Sequence, residues 1–344
     1  MDFKPLDAYW DLIEPLKKGD SLSHETWKAF LDIEANHIYV ENQGFNADYL
    51  ERLRKTMEYV YMPKNDSLLK VRIAAIEKDP ASYWLTYKVY VYKKYEQELK
   101  AYEKKLQDPS YLDAMYDQTF GWLPKNLQKK DANTQFYLLG FENDAIAGGG
   151  VIIATLWDLY NQDRINFGST AGHEMHHNLR KPIDFKNVAE TDLGVLYFLN
   201  SVLNEGTADM IDKPANIALE AQLPNELRLK DFLLFQADSI VSVVDADITQ
   251  MAASHGTVYQ SEKDYRNLLR WTSGHCPGFY MADIIVRNGF KKKLIQNIRN
   301  PFAFIYLYNK AAKKDAEKPT LFSDTSIAYI KELETKYWVP LKLK

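Results

Sequence analysis

The chain has one cysteine, Cys276, in 344 residues. No intrachain disulfide can form, and no cysteine cluster can hold a structural metal. Long apolar runs are missing too: nowhere do about 18 apolar residues follow one another, so no segment reads as a membrane-spanning helix. Residues Met1 to Trp10 lack the basic stretch and apolar core that mark a secretory leader. Positive charge is not in excess either. Lys and Arg number 43 against 47 Asp and Glu, a formal net charge of −4, and the lysines are scattered among acids. Nucleic acid is therefore not an expected partner. No fixed-period repeat or low-complexity tract occurs.

With 46% hydrophobic and 13% aromatic residues, the chain can bury a large core, and its length suggests about two domains. Up to about residue 123 the apolar spacing is mainly helical. Helices are expected at about 5–18, 23–37 with Ser23 as N-cap, 47–61 with Asn46 as N-cap, 66–78, 81–107 and 110–118. In the longest of these Tyr83, Tyr87, Tyr90, Leu99, Tyr102 and Leu106 fall near one stripe, which reads as an interhelical seam. The polar stretch 124–135, opened by Pro124, divides this helical region 1–123 from a second region 124–344. Phe136 to Phe141 and Val151 to Trp157 are short apolar runs rich in strand formers, joined by a turn with Gly148, Gly149 and Gly150. They predict a small sheet over about 136–157. Helices then return at about 169–180, stopped by Pro182, and at 191–212, 226–253, 261–273, 277–288, 291–299, 301–314 and 324–337. The expected class is mainly α with a small sheet (α+β).

Within the first of these later helices lies His-Glu-x-x-His, as His173, Glu174, Met175, His176 and His177. Histidines four apart stand one above the other on a helix face, so His173 and His177 can aim a ring nitrogen at one ion. Glu174 is rotated by about 100° from His173, which leaves its carboxylate short of the ion but within reach of a water activated by it. That is the place of a general base. His176 is turned off the ligand line and reads as a packing or supporting residue. A catalytic zinc needs a third protein ligand. The class that places a third histidine six residues on is excluded, because Arg180 and Ile183 stand where its Gly and His belong. Glu205, near the end of the next helix, is the natural candidate. Asp209, one turn beyond, shares its face and can accept the other N–H of a ligating histidine.

These residues resemble the gluzincin clan of zinc metallopeptidases, which joins His-Glu-x-x-His to a downstream Asn-Glu-x-x-x-Asp, here Asn204, Glu205 and Asp209. More closely, the chain is similar to an uncharacterised bacterial family of zinc-dependent peptidases. That likeness rests on the same pair of motifs, on Gly274 to Ala282, and on Asn300 to Phe302 with Tyr308 to Ala312. The resemblance implies a helical N-terminal region, then a zincin-like domain with its small sheet, metal-site helices over about 169–212 and a helical C-terminal part over 226–344. It implies that Gly149, Gly150 and the run from Val151 to Trp157 form a sheet edge along which an extended peptide lies. It also implies an oxyanion donor several tens of residues after the glutamate ligand, for which His275 and Tyr280 are the candidates; a reading of His275 as a loop residue capping the helix begun by Pro277 stays open.

The expected activity is peptide-bond hydrolysis with one zinc ion per chain, held by His173, His177 and Glu205, with Glu174 as general base and Asn204 and Asp209 supporting the ligands. Two alternatives are a metal-bearing helical binding protein without peptidase activity and a zinc hydrolase acting on a non-peptide amide. The expected partner is a peptide or protein substrate. Resemblance to bacterial families that are commonly exported points to an extracytoplasmic protein whose leader has been removed, a cytoplasmic location staying open.

Overall fold

Gly149 and Gly150 take φ values of 60° and 85°, the two successive left-handed positions that a type I′ hairpin needs and that other L residues resist. They fold strand β2 (Ala145–Gly148) back onto β3 (Val151–Thr155), while β1 (Gln135–Leu139) pairs with β3 in parallel, Gln135 opposite Val151. The order is β1-β3-β2. This corrects the expected edge: Val151 opens the central strand, and β2, too rich in Ala and Gly to stand out in the sequence, is an edge strand beside it. The expected strand through Trp157 ends at Thr155, where the helix Leu156–Gln162 begins.

The computed structural model describes residues 1–269 and 272–338, and these are mainly helical with this small sheet. Part of the helix expected at 261–273 lies outside the described residues; the rest is the helix Glu262–Leu269. The chain forms two compact units, Met1–Met115 with Asp131–Glu174, and Tyr116–Lys130 with Met175–Lys344. Among the described residues no helix is long and apolar enough to cross a membrane.

In the first unit the helix Lys4–Lys18 packs on β1, and Tyr9 lies so close to Gly140 that a Cβ there would come within 2.3 Å of its ring. The caps expected at Ser23 and Asn46 are present, accepting from the backbone N–H of Thr26 and Tyr49. Two expected helices are broken. The segment 23–37 leaves the helical region at Ile33, and the Asn36 amide bridges the gap by donating to the Phe30 carbonyl at 2.7 Å. The segment 81–107 breaks at Tyr95, whose ring packs on Trp157 at 5.2 Å between centroids. Both breaks are tertiary choices that a helical periodicity does not reveal.

The second unit is built on the helix Glu190–Ala218, which runs past Pro214 and so exceeds the expected 191–212. Its apolar residues Val195, Phe198, Leu199, Val202 and Leu203 are buried against Met281, Ala282 and Ile285 of the helix His275–Arg287. Glycine sets how closely these two helices approach. A Cβ at Gly206 would stand 2.2 Å from the Gly278 carbonyl oxygen, one at Gly278 2.6 Å from the Val202 oxygen, and one at Gly274 2.8 Å from the Ser201 backbone. The expected helix 226–253 is divided into Lys230–Leu234 and Ala237–Ala253.

Substituting Gly206→Ala forces backbone against backbone and is expected to cost about 3 kcal/mol, at the upper end of overpacking penalties. Urea denaturation reads this as a lowered midpoint; an unchanged midpoint would mean that the two helices can separate freely.

Candidate metal centre

The motif helix Ser169–Arg180 is continuous, so His173 and His177 lie one turn apart on one face as their spacing requires. His173 and Glu174 are buried, with 3% and 8% of their surface exposed. Near Glu174, at the start of β2, Asp144 is pushed up to about 6, first by burial, then by the carboxylates of Glu142 and Glu174, while its bond from Tyr39 opposes the shift. The hydroxyl of Tyr39 and the amide of Gln43 both donate to Asp144.

In the second unit the site is built around Glu205. Its Oε2 lies 3.3 Å from His177 Nε2 and 3.3 Å from His275 Nε2. One carboxylate oxygen thus meets two ring nitrogens. On the far side of each ring stands an acceptor: His177 Nδ1 is 3.2 Å from Asn204 Oδ1, and His275 Nδ1 is 2.9 Å and 3.0 Å from the two oxygens of Asp209, which is fully buried. The Asn204 amide nitrogen donates to Glu205 Oε1 at 2.8 Å. Asn204 therefore touches both His177 and Glu205, and the Asp209 carboxylate grips His275.

His275 was expected beside the helix begun by Pro277. The helix begins two residues earlier, with His275 in its first turn and Gly274, at φ 109°, as its N-cap. Burial alone would lower its proton affinity, but Asp209 and Glu205 outweigh burial, with Lys213 opposing them, and the pKa is pushed up to about 9. Tyr280 is placed elsewhere. Five residues after His275 on the same helix, it is turned by about 140° around the axis, and its hydroxyl donates to Asp238 at 2.9 Å. Gly149, Gly150 and Val151 lie at the hairpin turn and the first residue of β3.

Arg180 is the residue whose role sequence reasoning missed, having used it only to exclude a third-histidine motif. It is 1% exposed, donates from Nη2 to Asn204 Oδ1 at 2.7 Å and from Nη1 to the Ile298 carbonyl at 3.2 Å. Burial pushes its pKa down to about 10, Glu205 holds it up and Arg299 lowers it further, so it stays charged at neutral pH. The available signal was position: three residues after His177, it falls on the same side of the helix. Cys276, beside His275, is buried and its thiol is pushed up by burial, which disfavours the thiolate that a metal would need. His24, His37 and His255 are surface residues.

A family model described as a putative zinc dependent peptidase matches residues 27–317. No curated protein and no solved structure matches the chain.

In metal-free protein, His275 is expected to remain protonated at neutral pH, and Asp209→Asn to lower its pKa, as read by a histidine NMR titration. Its folded pKa lies above the ordinary 6.5, so the folded state holds an extra proton between that value and about 9. The contribution to stability is whole below this window and is lost as pH rises through it. Urea midpoints of the metal-free protein should fall across the window more steeply in wild type than in Asp209→Asn.

Proposed function

Because the chain belongs to the family of putative zinc dependent peptidases that its residues 27–317 match, we propose that it hydrolyses peptide bonds at one gluzincin-type zinc centre held by His173, His177 and Glu205. The observation that carries this reading is the approach of His177 Nε2 to Glu205 Oε2 at 3.3 Å, with His173 one turn before His177 on the same continuous helix. Two imidazoles and one carboxylate are the donor set of a catalytic zinc site with a position left open, and the single thiol is not needed for it. The residues present therefore fit the metal.

Zinc bound there supplies a Lewis acid and lowers the pKa of a coordinated water towards about 7. The chain supplies the rest. Glu174 takes the proton as the water attacks the peptide carbonyl and returns it to the leaving amine. His275, held by Asp209 with its Nε2 on the Glu205 side, is placed to donate to the oxyanion that the attack creates. With Tyr280 bonded to Asp238, His275 is the stronger of the two candidates for that role. Asn204 supports His177 and Glu205. An extended peptide substrate would add as a strand beside β2, an outer strand of the sheet.

Glu174→Gln is expected to keep one zinc per chain and to lower cleavage of a peptide library by at least about 100-fold, the lower range for loss of a general base. Glu205→Gln should lose the zinc itself, as measured by metal analysis after dialysis. A Glu174→Gln protein that cleaves as well as wild type would remove Glu174 from the mechanism.

A further inference from the structure

The Arg180 guanidinium is nearly free of solvent, bonded to Asn204 Oδ1 and the Ile298 carbonyl, and its Nε has no hydrogen-bond partner among the described residues. A buried cation carried on a neutral amide and a backbone carbonyl is costly, and the contact with Asn204 shows what it can do. Arginine only donates. A carboxylate oxygen such as Glu205 Oε1, at 2.8 Å from the Asn204 amide nitrogen, only accepts. These two neighbours fix the Asn204 amide the same way round: oxygen towards Arg180, nitrogen towards Glu205. The oxygen then also faces His177 Nδ1 at 3.2 Å. An amide oxygen can only accept, so that contact requires a proton on Nδ1. A neutral His177 protonated there presents its lone pair at Nε2, the atom that faces Glu205 Oε2 at 3.3 Å.

We propose that Arg180 is a positioning residue that, by orienting the Asn204 amide, holds His177 in its Nδ1–H form and so keeps Nε2 unprotonated, with its lone pair for the metal. The step from tautomer to metal rests on the reading of His177 and Glu205 as zinc ligands; the step from Arg180 to tautomer does not. Without the guanidinium, the amide loses the neighbour that demands its oxygen and can turn, presenting NH2 to His177 Nδ1. That orientation favours the opposite tautomer, in which Nε2 carries the proton and cannot ligate.

The test uses 15N-labelled full-length protein, freed of metal and held at a pH where His177 is neutral. Long-range 15N–1H correlation spectra report which ring nitrogen is protonated, with His177 assigned by its loss in His177→Gln. Wild type is expected to show the Nδ1–H form. Arg180→Met, similar in length and uncharged, should move His177 to a mixture or to the Nε2–H form. Arg180→Lys should restore part of the wild-type population, because an ammonium also only donates. Asn204→Ala removes the relay with Arg180 intact and should have the same effect as Arg180→Met, which keeps the test decisive if Arg180→Met does not fold. Zinc affinity, measured by competition with a chromophoric chelator, should fall about 10- to 100-fold in both, the range for lost supporting bonds at metal ligands. A His177 that stays in the Nδ1–H form in Arg180→Met or Asn204→Ala overturns the proposal, even if the wild type binds zinc. Loss of that form in both variants, in a wild type that binds no zinc, would uphold the relay and overturn the zinc reading.

Discussion

The approach of Gly206 to the backbone of Gly278 is the constraint on which the rest of the second unit depends. Two helices can come this close only where neither carries a Cβ. Once they do, Glu205 and Asp209, on either side of Gly206, are brought onto His275, three residues before Gly278. The contacts at 2.9 Å and 3.3 Å then follow from the crossing. The apolar seam from Val195 to Leu203 supplies the burial free energy that holds the crossing, while the glycines decide its depth.

That depth has an electrostatic cost. Arg180 and Asp209 are drawn out of solvent, and Glu205 and two imidazoles partly so; groups buried in this way destabilise the fold unless they satisfy one another. The pattern found is one of alternating donors and acceptors: guanidinium to amide oxygen, amide nitrogen to carboxylate, imidazole to carboxylate. The raised proton affinity of His275 records the excess of acceptors over donors around it. A divalent cation among Glu205 and its histidines would offset that excess, so binding the metal and relieving the buried charge are one event.

Much of the site was legible because its signals are local. Histidines four apart on a helix face, and a glutamate and an aspartate four apart on the next, need only helical geometry to be placed. What was not legible depends on partners far along the chain. The role of Arg180 appears only when Asn204 and Ile298 are seen beside it, and Tyr280 looks eligible until Asp238 is found on its hydroxyl. The same division runs through the fold. Caps at Ser23 and Asn46 were visible, whereas the breaks at Ile33 and Tyr95 answer to Phe30 and Trp157. The central place of β3 could not be read from two apolar runs, because the intervening β2 is nearly all Ala and Gly and pairs through a turn that the glycines were expected to make.

The central claim is that one zinc ion is held by imidazole and carboxylate alone. X-ray absorption at the zinc edge, on protein purified with one zinc per chain, tests it most directly. The account predicts a first shell of nitrogen and oxygen at about 2.0–2.2 Å, with outer-shell scattering from two or more imidazoles. A sulfur scatterer at about 2.3 Å, which only Cys276 or a methionine could supply, or a shell without imidazole, would contradict it.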